Sequence, residues 1–480
     1  MIPRIVTTPL APLALPERLV APRRVAPGVV AAALPGPGAD RLAQGEVLVV
    51  TTGQQPGLLT GPLYTIYKAL SAIALAHRLE REWSVPVVPV FWVAGDDHDF
   101  AEANHTFVLD AQGDVAELRL RERPADAPLL PLSKERCGAE IATVLERVRT
   151  ATPETEFKGA VLDWLAAAYR PEATLADAFA GALHALLGSR GLVVLRAHDR
   201  SAKEAAVPAI LKALSVTLPD GHTPVLLEAR QGRDRLRVDG DGWLTRRSDE
   251  RFTRWDLERI AREQPERFSP NVLLRPVVEV MLLPTVAYAA GPAELGYLPE
   301  ATPLYAVVAG SDAPGIVPQK PVPRWSGVLV EGRVDKLLTR HGLRLEELDG
   351  QPGGLEARLV RETLPPETEA RFTELRQSLE TQYARLAEAV EQVDPTLARP
   401  VQSARNGALA GVQELEKRLL ASLKRENETL LRQLARARVA VAPRGEPQER
   451  VLTLASFLIR YGPELLDALA QEVARWADAS

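Results

Sequence analysis

"VVTTGQQPGLLTGPLYTIYKALSAIA" (residues 49–74) joins an apolar run to a stretch of helical spacing through three glycines, two prolines and two adjacent amides, Gln54 and Gln55. A buried strand that stops at a glycine turn and then enters a helix is the first half of a βαβ unit. The same arrangement recurs along the chain. "EVLVVTTG" (46–53), "VPVVPVFWVAG" (85–95), "GLVVLRAHD" (191–199) and "TVAYAAG" (285–291) are short apolar runs that each end at glycine or an acid, as parallel strands covered on both faces do. Helical spacing over 62–82, 159–188 and 201–214 lies between them, so the alternation predicts an α/β fold: a Rossmann-like doubly wound parallel sheet with right-handed crossovers.

Two polar stretches interrupt the alternation, at about 106–150 ("DVAELRLRER") and 216–268 ("RDRLRVDGDGWLTRR"), and read as insertions into a core that spans 45–365. Residues 1–44 are proline-rich and broken by charges, which fits an extended arm rather than a signal peptide. From 366 to 440 the period changes. Phe372, Leu375, Leu379, Tyr383, Leu386, Val390 and Val393 recur in steps of three and four, and after the breaker "DPTLARP" a second stripe runs through Val412, Leu415, Leu419, Leu423, Leu430 and Leu434, with Asn427 in an apolar position. This pattern predicts an antiparallel coiled coil that pairs two copies into a homodimer. Residues 441–480 read as a C-terminal helical segment packing back on the core.

Composition narrows the functional class. A hydrophobic fraction of 46% with 25% charged residues is that of a globular chain, and a net charge of −5 gives no argument for nucleic acid or a membrane surface. One cysteine, Cys137, excludes an intramolecular disulfide and any multi-cysteine metal site, which points to a reducing cytoplasm. No apolar run is long enough to span a bilayer.

The chemistry gathers at strand ends, where open α/β sheets bind ligands. Gly53, Gly61 and Lys68 follow the first strand in a glycine turn into a helix N-terminus, a design suited to an anion; the alternative is a tight turn that needs glycine for geometry alone. Past the second strand, "VFWVAGDDHDFAEANHT" (90–106) concentrates Asp96, Asp97, His98, Asp99, Glu102, Asn104 and His105. Acid/base or substrate-binding chemistry accounts best for such a cluster, with Asp97 and His98 as the catalytic pair; no metal is assigned.

"TTGQQPGLLTGPLYTIYKALSAI", "VPVFWVAGDDHDFAEANH", "FSPNVLLRPVVEVMLLPTVAYAAGPAELGY" and "PQERVLTLASFLIRYGPELL" together resemble the bacillithiol-biosynthesis cysteine-adding enzymes. The resemblance spans about 45–470. It implies a Rossmann-like core with connecting segments, a dimerising coiled coil, and a cysteine ligase that joins the carboxyl of L-cysteine to the amine of glucosaminyl malate. Where the family tends to carry Gly-Gly-Pro-Gly-Glu, this chain has Ala290, Gly291, Pro292, Ala293 and Glu294. Substrate contacts are expected from Gln54, Gln55, Tyr64, Asp96, Asn104, Arg275, Gly291 and Glu294. Carboxylate activation suggests ATP or ADP, with Gly53, Gly61, Lys68, Arg324 and Ser326 facing its phosphates. A synthetase- or nucleotidyltransferase-like enzyme acting on another amino acid or sugar is the alternative.

Overall fold

The structure, a computed structural model, describes residues 2–310, 316–349 and 353–479. Its centre is a five-stranded parallel sheet: β1 (Leu48–Gln54), β2 (Val87–Val93), β3 (Val193–Arg196), β4 (Thr285–Ala290) and β5 (Lys320–Pro323), in the order β5-β4-β1-β2-β3. The first four are the apolar runs read from the sequence. β5 went unread because "QKPVP" carries two prolines, and a strand that cannot donate at those positions survives only at a sheet edge.

Alternation along β1 sorts its side chains onto two cores. Leu48 and Val50 pack with Ala72, Leu75 and Leu79 of α1 (Leu63–Trp83). Val49 faces the opposite layer, with Val90, Leu195 and residues of α2 (Arg200–Ala213) such as Ala206 and Ile210. Both faces of the sheet are thereby covered, which is why its strands read as continuous apolar runs.

Between β2 and β3 the chain forms an antiparallel hairpin, His105–Leu109 with Val115–Arg119, and three helices from Glu140 to Leu187. Between α2 and β4 it builds a separate five-stranded antiparallel sheet over residues 222–270, whose strand Phe268–Pro270 leads back toward β4. The second segment overlaps the 216–268 stretch read as an insertion, whereas the first continues through helices to Leu187, past the expected bound at 150. Among the described residues no helix is long and apolar enough to cross a membrane.

The chain divides into two compact units, one of residues up to 331 with those from 446 onward, the other of residues 332–445. In the second unit α3 (Pro366–Glu391) and α4 (Ala398–Glu426) form a hairpin, tied by Arg376 to Glu416 at 2.7 Å. Asn427 does not lie on a continuous seam. It marks a break before α5 (Glu428–Val441), where its side-chain amide donates to the Leu423 carbonyl at 2.9 Å and so satisfies a helix-end acceptor.

In the first unit the "PQERV" segment closes on the core through paired polar groups. The Gln448 amide both accepts from Leu329 N (2.9 Å) and donates to Leu329 O (3.0 Å), as a neighbouring strand would. Glu449 grips Arg324 with two hydrogen bonds, at 2.6 and 2.9 Å, and accepts a third from Ser326 at 3.0 Å. Both charges are buried, so removing one strands the other at a cost of about 3–5 kcal/mol. Glu449→Ala is therefore expected to lose about that much unfolding free energy in urea titrations; a loss below about 1 kcal/mol would mean that water replaces the carboxylate.

Candidate active site

The C-terminal ends of β1, β2 and β4 open into a cavity of about 410 Å³. Gly53 stands one residue before the end of β1 because nothing larger fits: a Cβ would stand 2.9 Å from the Trp92 carbonyl oxygen and 3.4 Å from the Tyr288 hydroxyl. That hydroxyl donates to Glu294 at 2.7 Å, and Glu294 in turn accepts from the backbone N–H of Gly291 at 2.7 Å.

Lys68, 3% exposed, enters the same knot from α1. Its ammonium lies 2.6 Å from Glu294 and donates to Gly53 O at 2.8 Å and Gln54 Oε1 at 3.0 Å, which uses all three N–H donors. Burial alone raises the Glu294 pKa, but Lys68 and the Gly291 N–H outweigh it and hold the carboxyl below its ordinary value.

A cationic wall stands beside this knot. Arg275 lies over the Tyr288 ring at 4.9 Å and pairs at 2.8 Å with Glu279, which is wholly buried. Arg324 lies over the Tyr64 ring at 5.8 Å and is held by Glu449. Each guanidinium keeps one buried nitrogen without a hydrogen-bond partner, Nη2 of Arg275 and Nε of Arg324. The latter stands 3.9 Å from where a Cβ on Gly291 would be, so the glycine leaves that donor a clear approach.

The opposite wall comes from the acidic loop. Asp96 pairs with buried Lys203 at 2.5 Å, and Lys203 also donates to Phe268 O at 2.7 Å, which ties the loop to the antiparallel sheet. Asp97 Oδ1 accepts from the backbone N–H of His98 (2.6 Å) and of Asp99 (3.1 Å), which fixes the carboxylate at the cavity wall. Arg233, from the antiparallel sheet, donates to Ser269 Oγ at 2.8 Å and Pro270 O at 3.0 Å.

The structure thus brings Gly53, Gln54, Gln55, Tyr64, Lys68, Asp96, Asp97, Arg275, Gly291, Glu294 and Arg324 to one cavity. Four expected residues are not among its lining. Asn104 is buried, with its amide donating to Arg121 O at 3.0 Å. Ser326 is turned toward Glu449. Gly61, in a left-handed conformation at φ 67°, lies in an adjoining chamber.

The fourth is His98. Its Nδ1 faces Arg233 Nη1 at 3.3 Å, and burial together with that guanidinium lowers its pKa. A guanidinium can only donate, so the neutral ring accepts at Nδ1 and carries its proton on Nε2, which leaves no free lone pair to take a proton from an amine. Strand-end His198 is likewise occupied elsewhere, 3.4 Å from Asp177.

Glu102, Arg233, Asn271, Tyr288, Tyr297 and Arg450 also line the cavity; of these the sequence singled out Glu102, as a member of the acidic cluster. Tyr288 had a signal, as the one polar side chain among the small apolar residues of "VAYAA". Arg233 had none, since only the tertiary fold carries the antiparallel sheet to the strand ends.

The turn at 53–68 does not fit a nucleotide phosphate. The amide of Thr60 donates to the Tyr169 hydroxyl, that of Gly61 to Leu58 O and that of Leu63 to Leu452 O, residue 62 is proline, and Lys68 is neutralised. Arg324 and Ser326, read as a second phosphate clamp, converge on Glu449 instead. No cluster of His, Cys, Asp or Glu among the described residues is arranged to hold a metal ion.

Comparison with known proteins divides the chain near the same point, at 319–327, but counts the C-terminal segment with the coiled coil. Residues 37–220 and 220–319 match the family described as bacillithiol biosynthesis BshC, N-terminal Rossmann-like domain, and 327–476 match its C-terminal coiled-coil domain. A protein of Salinibacter ruber named "Putative cysteine ligase BshC" is 33% identical over 454 residues, covering 90% of this chain and 81% of that one. Proteins of the same name from Heliobacterium modesticaldum (33% over 476 residues; 92% and 84% covered) and Geobacillus thermodenitrificans (32% over 465; 90% and 83%) are similar throughout.

Because the turn's donors are already engaged, Gly61→Val and Lys68→Met are expected to leave an ATP titration of the protein the same as wild type. Lys68→Met should instead lower the melting temperature, since Glu294 loses its counter-charge. Tenfold weaker ATP binding in Lys68→Met, with the fold retained, would restore a phosphate role to this lysine.

Proposed function

Since the chain belongs to the bacillithiol-biosynthesis BshC family, we propose that its cavity joins the carboxyl of L-cysteine to the amine of glucosaminyl malate. The observation that supports this most directly is the pairing of walls: unpartnered N–H donors of Arg275 and Arg324 on one side, the Asp97 carboxylate on the other. A dicarboxylate takes guanidinium donors well because both partners are planar and charge-assisted. An acceptor whose malate carboxylates rest on the arginine wall turns its amine toward the acidic loop.

Amide formation from an ammonium and a carboxylate breaks one C–O bond, makes one C–N bond, and transfers two protons from nitrogen to the departing oxygen, which leaves as water. The ammonium must lose its first proton before nitrogen can attack. Asp97 is placed for that step, with one oxygen anchored by two backbone N–H groups and the other available to the amine. Leaving oxygen also needs activation, and the 53–68 turn supplies no phosphate site for it. The residues described carry the positioning and the proton transfer.

These roles separate neighbouring side chains. Asp97→Asn keeps the turn's hydrogen bonds but loses the base, and is expected to cut kcat/KM by about 10² to 10⁴. His98→Ala, which removes only a contact to Arg233, should cost less than tenfold. Mass-spectrometric assay of the amide from L-cysteine and glucosaminyl malate reads both; a fully active Asp97→Asn enzyme removes the aspartate from the mechanism, and an inactive wild type removes the reaction.

The helical unit supports a homodimer as the second part of this reading. Phe372, Leu379, Tyr383 and Val390 are partly covered within the α3/α4 hairpin, whereas Leu375, Leu386 and Leu415 stay 44%, 47% and 57% exposed. Leucines on a regular helical face gain about 25 cal/mol for each Å² a partner covers, and a twofold pairing of like surfaces is the commonest way to cover them. Sedimentation is expected to give twice the chain mass, and Leu386→Asp with Leu415→Asp to give the single-chain mass; a wild type at single-chain mass across micromolar concentrations overturns the dimer.

A further inference from the structure

Beside the main cavity lies a smaller chamber of about 170 Å³. The two share Gln54, Gln55, Tyr64, Glu102 and Arg450, so these five residues form the junction at which the two spaces adjoin. The chamber's lining differs in kind from the main cavity. Pro56, Gly57, Ala103, Phe107 and Val451 are apolar or small, and only the junction carries full charges, one negative and one positive.

Two hydroxyls in the lining have no partner. Thr65 on α1 and Thr106 on the His105–Leu109 strand are 0% and 3% exposed, and neither Oγ1 makes a hydrogen bond. An unpaired buried hydroxyl costs about 1–3 kcal/mol, so two in one small chamber are a standing demand for a polar occupant. Thr65 Oγ1 lies 3.5 Å from where a Cβ on Gly61 would be, and Gly61 at φ 67° keeps that side clear.

The turn between Gly57 and Gly61, both of which line the chamber, is held under strain. Leu59 and Thr60 both adopt positive φ, 50° and 71°, which costs non-glycine residues on the order of 1 kcal/mol each. The Tyr169 hydroxyl staples the turn by accepting from Thr60 N at 2.8 Å and donating to Gly57 O at 3.0 Å. Thr453 Oγ1 donates to Leu59 O at 2.8 Å. A strained turn secured from two distant segments gives the chamber a fixed shape.

We infer that this chamber is the amino-acid subsite, which takes L-cysteine as a zwitterion: its ammonium at Glu102, its carboxylate at Arg450 and facing the main cavity, and its thiol inward between Thr65 and Thr106. The inference rests on the ligase reading above and adds to it which substrate occupies which space. The charge pattern selects the class of ligand. A zwitterion matches one carboxylate and one guanidinium at the junction, whereas the acceptor's two carboxylates match the arginine wall of the larger cavity. The chamber's small volume and uncharged interior suit a short side chain that can both donate to and accept from a hydroxyl weakly, as a thiol does.

Steady-state kinetics with the two substrates varied separately tests the assignment. Thr106→Val and Thr65→Val keep the side-chain shape and remove the hydroxyl, and each is expected to raise the KM for L-cysteine by about fivefold, in line with about 1 kcal/mol per hydrogen bond, with the KM for glucosaminyl malate within twofold. Glu102→Gln, at an exposed position where folding is not at stake, should raise the KM for L-cysteine at least tenfold. It should also abolish the advantage of L-cysteine over 3-mercaptopropionate, which lacks the ammonium, as competing ligands. If these variants instead raise the KM for the acceptor, or change neither KM, the chamber is not the cysteine subsite. Absence of any amide product from wild type is a separate failure, that of the ligase reading itself.

Discussion

The buried pair Lys68–Glu294 sets the geometry on which the site depends. The lysine comes from the helix after β1 and the glutamate from the turn after β4, so their contact draws together the ends of neighbouring strands that are more than 200 residues apart in sequence. A buried ammonium survives only when its desolvation is offset, and here a carboxylate, a backbone carbonyl and an amide oxygen share that task. The same glutamate accepts from Tyr288, whose ring carries Arg275 on its face. One ion pair therefore fixes the strand ends, the tyrosine and one half of the arginine wall.

Sequence alone made the strands and the acidic loop legible, because both are local patterns. A buried parallel strand announces itself as an apolar run, and a cluster of acids past such a run has few structural uses. Tertiary partnership was not legible. Lys68 has the position of a phosphate-facing lysine, but Glu294, far along the chain, decides that it is neutralised. Arg324 and Ser326 have the spacing of a clamp, and Glu449 from the C-terminal segment takes up the Ser326 hydroxyl and both Nη groups of Arg324. His98 stands in the motif with Asp97, yet Arg233 from the antiparallel sheet fixes its tautomer. In each case the residue belongs to a polar constellation, and its role is set by a partner that no local pattern reveals.

The charge balance of the cavity follows from those partners. Lys68, Arg275 and Arg324 each have a dedicated carboxylate, Glu294, Glu279 and Glu449, and on the acidic side Lys203 answers Asp96. After this cancellation the arginine wall is nearly neutral in net charge, although it is dense in charged groups. A wall of that kind attracts anions weakly from a distance. Its capacity lies in the few donors the internal pairs leave over, so it discriminates by hydrogen-bond direction more than by charge.

That distinction bears on how one crevice accommodates two small, highly charged substrates without confusing them. Net charge would draw any anion to either space, and screening by salt would blur the difference. Fixed donors do not have this weakness. A buried N–H left unpaired penalises the wrong ligand by the full cost of staying unpaired, whereas a correct carboxylate removes that cost, so the penalty for error exceeds the gain from attraction. The pre-paired arginines, the stapled turn under the side chamber and the anchored Asp97 all place such donors and acceptors before any ligand arrives. On the ligase reading, the order that these internal ion pairs maintain is the physical basis for sorting the two substrates.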